Sequence, residues 1–500
     1  MKKNIIYSLG LLLSLASCES SIEVKPKNFI APDQVTTNIS GLQNVLTSAY
    51  DRLQDFSYYG RDVALQGDAM ADNIFTNPNI AAGGGRYSGA NLNTAATPTA
   101  TGSHYSFWTV AYNAILDCNT VIANIDAVAA TDAVKNQVKG EAYGIRALAF
   151  FDLARAYGYE PKKVPTAGLG ANFNKSVVLR LLPTTDPISG GPQVRSTIDQ
   201  TYTQIESDFK KAIEFLPAST VAASRLRMNK AAAYGLLGKV YLYWEKYADA
   251  VTNFDLALSA TNTGARLAPA GQYISVFRSS AGAPSSEALF EITFNNTTEI
   301  VGVVGANSTP YSYTNPNNRN NVSTFGGQTP SNELVALFEN GDDRKAMIYS
   351  YAASLASQTG GGAQFNWVNK YSGSAGAPYA DNMKVIRVAD VLLMKAEALA
   401  EQNQFVAASD VVKNLRTNRN ASILTVPLDA SIKDYIQTER RRELFYEGHR
   451  WFDLKRKGNG IFKAAQTSRP SISPEDLRIL APIPAGEANN VPGLPQNPGY

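Results

Sequence analysis

From Ser40 onward, apolar residues return every three or four positions, the spacing that lines one face of an α-helix. In SGLQNVLTSAYDRLQDF the stripe is Leu42, Val45, Leu46, Ala49, Tyr50 and Leu53. FWTVAYNAILDCNTVIANI repeats it with Trp108, Ala111, Tyr112, Ile115, Leu116, Val121 and Ile122. VKGEAYGIRALAFFDLARAYG predicts a further helix that stops at Tyr157-Gly158. Cys118 falls inside the second stripe and reads as a small core residue rather than a nucleophile.

Two later stretches share one rhythm. KAAAYGLLGKVYLYWEKYADAVTNFDLALS reads as two helices joined by a turn near Lys246, with Ala250, Phe254 and Ala257 spaced to dock on the first helix. DVLLMKAEALAEQNQFVAASDVVKNLR repeats the design with Ala396, Ala400, Phe405, Ala408, Val412 and Leu415. Small alanines let paired helices approach closely, and stacked pairs bury faces that no single pair can bury. The expected fold is all-α, built of tetratricopeptide-like helix pairs, with long irregular insertions and minor β.

Three stretches break the helical period. Residues 76–106 are rich in Gly, Asn, Thr and Ala, and 159–196 carry Pro161, Pro165, Pro183, Pro187 and Pro192. The longest, 262–381, holds one strand-like segment, EALFEITFN, then NNTTEIVGVVGANSTPYSYTNPNNRNNVSTFGGQTP. Loops beyond about 12–15 residues are uncommon in compact proteins and are often functional. Tyrosines among Asn, Ser and Gly make an adaptable recognition surface.

The first residues add a location. Lys2 and Lys3 precede an apolar run from about Ile5 to Leu15, too short for a spanning helix, which needs about 20 residues. Leu15-Ala16-Ser17-Cys18 then matches a bacterial lipobox. The expected organisation is a lipoprotein signal peptide at 1–17, a lipid-anchored tether at 18–40, and one domain at 41–500. With Cys18 acylated, Cys118 is left without a disulfide partner. Removing residues 1–17 takes two lysines from the 46 basic residues and none of the 43 acidic ones, leaving a nearly neutral chain. A nucleic-acid binder would carry a strong basic excess, so none is expected as a partner.

Candidate chemistry is sparse. ERRRELFYEGHRWFDLKRKG sets Glu439, Glu443 and Glu447 four residues apart, with Arg442, Arg440 and Arg450 each three residues from one of them. That spacing predicts ion pairs within one helix, and Leu444, Phe445, Trp451 and Phe452 supply an apolar side. His449 has no second histidine or thiol nearby to hold a metal. Asp68 and Asp72 in LQGDAMADN are the best-placed acids for a carboxylate pair of the glycosidase kind. Neither His104 nor His449 is accompanied by a Gly-x-Ser-x-Gly elbow. GGGRYSGAN lacks the Gly-Lys-Ser/Thr of a phosphate loop, and ENGDDRKA lacks calcium-loop spacing. No catalytic residue, no metal and no cofactor is expected.

A family resemblance rests on several segments in order: the lipobox, DAMADN, FWTVAYNAILDCNTVI and GEAYGIRALAFFDLARAYG, then KVIRVADVLLMKAEALAE, ERRRELFYEGHRWFDLKRKG and the closing LAPIPAGEANNVPGLPQNPGY. These resemble the signature segments of SusD/RagB outer-membrane nutrient-binding lipoproteins. The resemblance implies a non-enzymatic protein on the outer membrane, anchored at Cys18 and facing the cell exterior. It implies binding of oligosaccharide, or of peptide in the RagB branch, and delivery to a SusC-like TonB-dependent transporter. A surface glycoside hydrolase and a helical-repeat assembly factor without a small ligand are the remaining alternatives. Related glycan binders stack sugars on an arc of aromatic rings. No short motif fixes those positions, so composition selects Tyr87, Asn91 and Asn93 from the first loop. From the second it selects Tyr311, Tyr313, Arg319, Asn320, Phe325 and Trp367. A ring in such a loop can equally anchor the loop.

Overall fold

The computed structural model describes residues 35–76, 87–91, 93, 103–184, 191, 193–218, 225–259, 264–278, 283–294, 299, 309–316, 324–352, 364–373, 379–463, 471–491 and 493–500. Among these, the helices of the first half are α1 Ile39–Gln54, α2 Asp62–Met70, α3 Ser88–Asn91, α4 Trp108–Asn124, α5 Asp132–Tyr157 and α6 Ile198–Phe215. They are followed by α7 Lys230–Tyr243, α8 Tyr247–Ser259, α9 Pro310–Thr314 and α10 Asn332–Val335. The last are α11 Val388–Glu401, α12 Phe405–Thr417, α13 Ile432–Leu444, α14 Arg450–Arg456 and α15 Ala485–Asn490. The strands are β1 Ile74–Thr76, β2 Ala288–Ile292, β3 Gln328–Pro330, β4 Ile348–Ala352, β5 Gln364–Val368 and β6 Met383–Arg387.

Local chemistry sets the helix ends. The Asn38 side chain accepts the Gly41 N–H at 2.9 Å and opens α1. Thr197 and Gln200 form a reciprocal capping box at the start of α6. α5 runs to Tyr157 and stops at Gly158, as its sequence predicts. In α1 the predicted stripe faces inward, with Leu42, Leu46, Ala49 and Leu53 buried.

The long helices form a continuous stack: α1 packs on α4, α4 on α5, α5 on α6, α6 on α7, α7 on α8, α8 on α11 and α11 on α12. The two predicted helix pairs turn in the same way. Glu245 and Asn403 each adopt a left-handed conformation, with φ of 58° and 60°. Lys246 N–H then returns to the Tyr241 carbonyl at 2.9 Å, and Gln404 N–H to the Leu399 carbonyl at 3.0 Å. Within the first pair, a Cβ on Gly238 would stand 2.6 Å from the Phe254 ring. Gly238→Ala is therefore expected to lower stability by about 1–3 kcal/mol through overpacking. Urea unfolding checks it, and an unchanged midpoint would show that the pair can spread at no cost.

The three sheets among the described residues are two-stranded and antiparallel: β1 with β3, β2 with β6, and β4 with β5. The first joins the two polar insertions, pairing Ile74 with Pro330 and Thr76 with Gln328. The strand expected at EALFEITFN is β2.

The segment 439–458 departs from expectation. It is two helices, not one, because Tyr446 and Gly448 adopt φ of 61° and 81° between α13 and α14. A Cβ on Gly448 would lie 2.0 Å from the Val63 carbonyl oxygen, so this turn needs glycine. Of the three expected intrahelical pairs, Arg442 with Glu439 forms, at 2.9 Å. Arg440 turns instead to Asp453 at 2.9 Å and Asp390 at 3.2 Å, and Arg450 to Asp72 at 2.7 Å. The glutamates are answered from remote segments. Glu439 accepts from Arg344 and Arg416 at 2.7 Å each. Glu443 accepts from Arg344 at 3.2 Å, Arg387 at 2.7 Å and Arg419 at 2.9 Å. Glu447 accepts from Lys370 at 2.7 Å and from Arg387 at 2.8 Å. All eight side chains are buried.

Candidate functional site

The β1–β3 pairing brings parts of the chain 252 residues apart into contact, with Thr76 Oγ1 and Gln328 Oε1 at 3.0 Å. Beside it, the Arg61 guanidinium just before α2 lies among three rings, 4.8 Å from Phe56, 5.8 Å from Tyr87 and 5.3 Å from Tyr313. Tyr313 stacks on Phe325 at 5.3 Å with 22° between the planes, and meets Tyr87 edge-on at 5.3 Å. Asp62 fixes the cation, accepting from Arg61 Nε at 2.7 Å and Nη2 at 3.1 Å, and it takes the Tyr87 hydroxyl at 2.6 Å. Burial pushes the Tyr87 phenol well above its ordinary pKa, so it remains a neutral donor. Phe56 is 44% exposed and Phe325 is half-buried, so these two rings reach the surface beside the buried pair Tyr87 and Tyr313. Flat rings around a fixed, neutralised cation can stack on an apolar ligand face.

Family models match both halves of the chain. One, described as starch-binding associating with outer membrane, covers residues 35–242; the other, the SusD family, covers residues 348–500. The chain belongs to the SusD/RagB family. Two SusD-like proteins of Formosa agariphila are similar over all of this chain, at 27% identity with 99% of the relative covered and at 25% with 100% covered. Among solved structures, a SusD superfamily protein of Bacteroides thetaiotaomicron is similar with a TM-score of 0.76 and 24% identity, covering 92% of this chain and 100% of its own. A SusD-like carbohydrate binding protein of Bacteroides vulgatus has a TM-score of 0.77 at 21% identity, over 92% and 97% of the two chains. A laminarin binding SusD-like protein has a TM-score of 0.71 at 24% identity, over 93% and 100%. These likenesses establish the helical fold. No helix among the described residues is long and apolar enough to cross a membrane. Tyr311, Tyr313 and Phe325 lie between the two matched regions of this SusD/RagB chain, where family patterns gave the least guidance.

The structure sorts the residues selected from composition. It brings Tyr87, Tyr313 and Phe325 together. Trp367 is fully buried beneath Gly326, whose Cβ position is 3.2 Å from the indole, and Tyr311 is buried with its ring edge-on to Tyr379 at 5.6 Å. Trp367 lies in β5 and Tyr311 in α9, and neither ring is open to solvent. Asn91 and Asn93 are buried and engaged by backbone and by Arg478: Asn91 Nδ2 donates to the Ile74 carbonyl at 3.0 Å, and the Asn93 carbonyl accepts from Arg478 at 2.8 Å. Arg319, Asn320 and Cys18 lie outside the described residues. Sequence reasoning missed Phe56, Arg61 and Asp62. The signal available was FSYYGRD, an aromatic-rich turn directly after the first helix.

Asp68 and Asp72, the candidate hydrolytic pair, are structural. Asp68 is fully buried and accepts from Asn73 Nδ2 at 2.5 Å and from the N–H groups of Tyr446 at 3.1 Å and Gly448 at 3.3 Å. Burial outweighs these bonds and pushes its pKa up to about 6. Burial acts the same way on Asp72, but the Arg450 and Arg441 guanidiniums hold its carboxyl below the usual range. His104 is fixed as the Nε2–H tautomer, its Nδ1 accepting the Tyr105 N–H at 2.8 Å and its Nε2 facing the Arg478 carbonyl at 3.1 Å.

Proposed function

We propose that the protein is an outer-membrane lipoprotein, acylated at Cys18, that captures an oligosaccharide at the cell surface. Delivery would be to a SusC-like TonB-dependent transporter, with binding and no turnover. The observation that carries this reading is the ring cluster, in which two remote insertions close around Arg61 to set Phe56, Tyr87, Tyr313 and Phe325 at one place. Family membership supports it, as does the fold shared with a laminarin binding protein. The Arg61–Asp62 pair leaves the cluster without net charge, which suits neutral sugars: C–H faces on the rings, hydroxyls on the polar edges. Asp68 is buried and already engaged by Asn73 and two backbone N–H groups, and Asp72 by Arg441 and Arg450, which speaks against a hydrolase.

The test is isothermal titration calorimetry against a panel of neutral glycans and short peptides, with Phe56→Ala and Phe325→Ala. One glycan class should bind, and each substitution should weaken it about tenfold, or 1.4 kcal/mol, with the melting temperature unchanged. Binding of peptides in place of glycans would move the assignment to the peptide branch. Binding untouched by both changes would remove the ring cluster from the site, and product formation would overturn the capture reading.

A further inference from the structure

The guanidinium at the centre of the ring cluster already holds an anion. Asp62 takes the Nε/Nη2 edge of Arg61 with both carboxylate oxygens, Oδ1 at 2.7 Å and Oδ2 at 3.1 Å. This is the two-bond fork by which an arginine grips a carboxylate. The Tyr87 hydroxyl donates to the same Oδ1 at 2.6 Å, and Arg61 Nη1 is turned toward the Tyr313 hydroxyl at 3.5 Å. The pair lies near the surface, with 12% of the Arg61 side chain exposed and Phe56 open beside it.

The fold holds this carboxylate in place by means other than Arg61. Asp62 is the first residue of α2, where the helix N-terminus favours negative charge. Its N–H donates to the Phe56 carbonyl at 3.0 Å, which fixes the backbone of the acid to that of an exposed ring. The acid is therefore built into the cluster and is not a casual neighbour of the cation.

That arrangement bears on which sugars the site accepts. A uronate carboxylate or a sulfate ester is recognised best through two parallel N–H bonds from an arginine. Here it would meet a fork that is filled. Displacing Asp62 would leave a buried carboxylate facing no cation, and lying beside it would set two anions on one guanidinium. A neutral hydroxylated ring meets neither penalty. Binding sites reject a wrong partner by such repulsive elements as much as they attract the right one. We propose that Asp62 is the specificity-determining residue of the ring cluster: it occupies the guanidinium edge that an acidic sugar would use, and so confines the site to neutral glycans. The proposal rests on the ring cluster being the glycan site.

Calorimetry with trigalacturonate and its methyl ester, the same sugars with and without charge, tests it. On the unaltered protein the ester should bind roughly tenfold more tightly than the acid. Asp62→Asn and Asp62→Ser, each checked for folding by thermal melting, should raise affinity for the acid about tenfold at low salt, and the gain should fade as NaCl screens the cation. Asp62→Glu keeps the charge and should keep the acid excluded. The gain should vanish when Asp62→Asn is combined with Arg61→Gln. An acid bound as tightly as its ester by the unaltered protein would overturn the proposal. So would the absence of a gain in both neutral variants, or a gain that survives Arg61→Gln. Failure of the ring-cluster reading would show separately, as neutral-glycan affinity unaffected by Phe325→Ala.

Discussion

Glu443→Ala should cost about 3–5 kcal/mol, the loss expected when one member of a buried ion network is removed and its partners are left uncompensated. The Glu443 carboxylate accepts from Arg344 at 3.2 Å, Arg387 at 2.7 Å and Arg419 at 2.9 Å, and each of these groups is fully buried. Truncation leaves the guanidiniums facing one another across a space that water does not fill freely. Against a total stability of about 5–15 kcal/mol, much of the folded population is at stake. Lys211→Ala is the control, since Lys211 and Glu214 pair at 2.9 Å with side chains 47% and 57% exposed. A surface pair of that kind is worth about 0–1 kcal/mol. Urea midpoints of the two variants should separate clearly. If they coincide, burial of the network is not what holds the C-terminal helices. Glu443 does not touch the ring cluster, so glycan affinity of the folded fraction should be unchanged.

Stability should fall steeply as the pH drops below about 4.5. Burial works against the charged form of Glu447, but Arg387 and Lys370 hold its pKa at about 2, and Arg456 does the same for Glu397. A folded pKa below the ordinary 4.5 means stability that is present above 4.5 and lost as pH falls toward 2. Each group contributes on the order of 3 kcal/mol. Burial, offset in part by Asp390, lowers His449 to about 3, and burial lowers His104 likewise. Their contribution is present above the ordinary 6.5 and declines as pH falls toward 3. Asp68 opposes them: its folded value near 6 exceeds its ordinary 3.8, so its stability term is complete below 3.8 and lost as pH rises through 6. The net profile is a shallow decline from pH 6.5 to 4.5 and a steep one below. Thermal melts from pH 8 to 2.5 check it, and a midpoint constant down to pH 3 would show that the buried carboxylates are not held ionised.

Periodicity made the helical stack legible because helices with one buried face repeat that burial every three or four residues. Leu42, Leu46, Ala49 and Leu53 were readable in this way, and so were the Tyr157-Gly158 stop and the turn at Lys246. The segment 439–458 was misread as one helix because the break depends on Val63, almost 400 residues earlier, whose carbonyl excludes any Cβ at position 448. Its arginines were assigned to the nearest acids in sequence, whereas Arg440 and Arg450 reach Asp390 and Asp72. Composition selected Tyr87, Tyr313 and Phe325, which the structure brings together, along with Trp367 and Tyr311, which lie elsewhere, because a ring's packing partners cannot be read from its sequence neighbours. Arg61 and Phe56 sit in the short aromatic turn FSYYGRD, outside the long polar insertions, and only the pairing of β1 with β3 reveals what they adjoin.

The long reach of these contacts also orders events in time. Asp68 meets the N–H of Gly448 across 380 residues, Asp72 meets Arg450 across 378, and Arg195 meets Asn497 across 302. Contacts so remote slow folding, since the loop must close before any of them forms. While the chain is being made, the stack from α1 to α8 can assemble, but the Tyr446 and Gly448 N–H groups that Asp68 accepts and the Arg441 and Arg450 guanidiniums that hold Asp72 do not yet exist. The last sixty residues therefore act as the closing step of folding, and a polypeptide released short of Gly448 leaves Asp68 without the Gly448 N–H and Asp72 without Arg450.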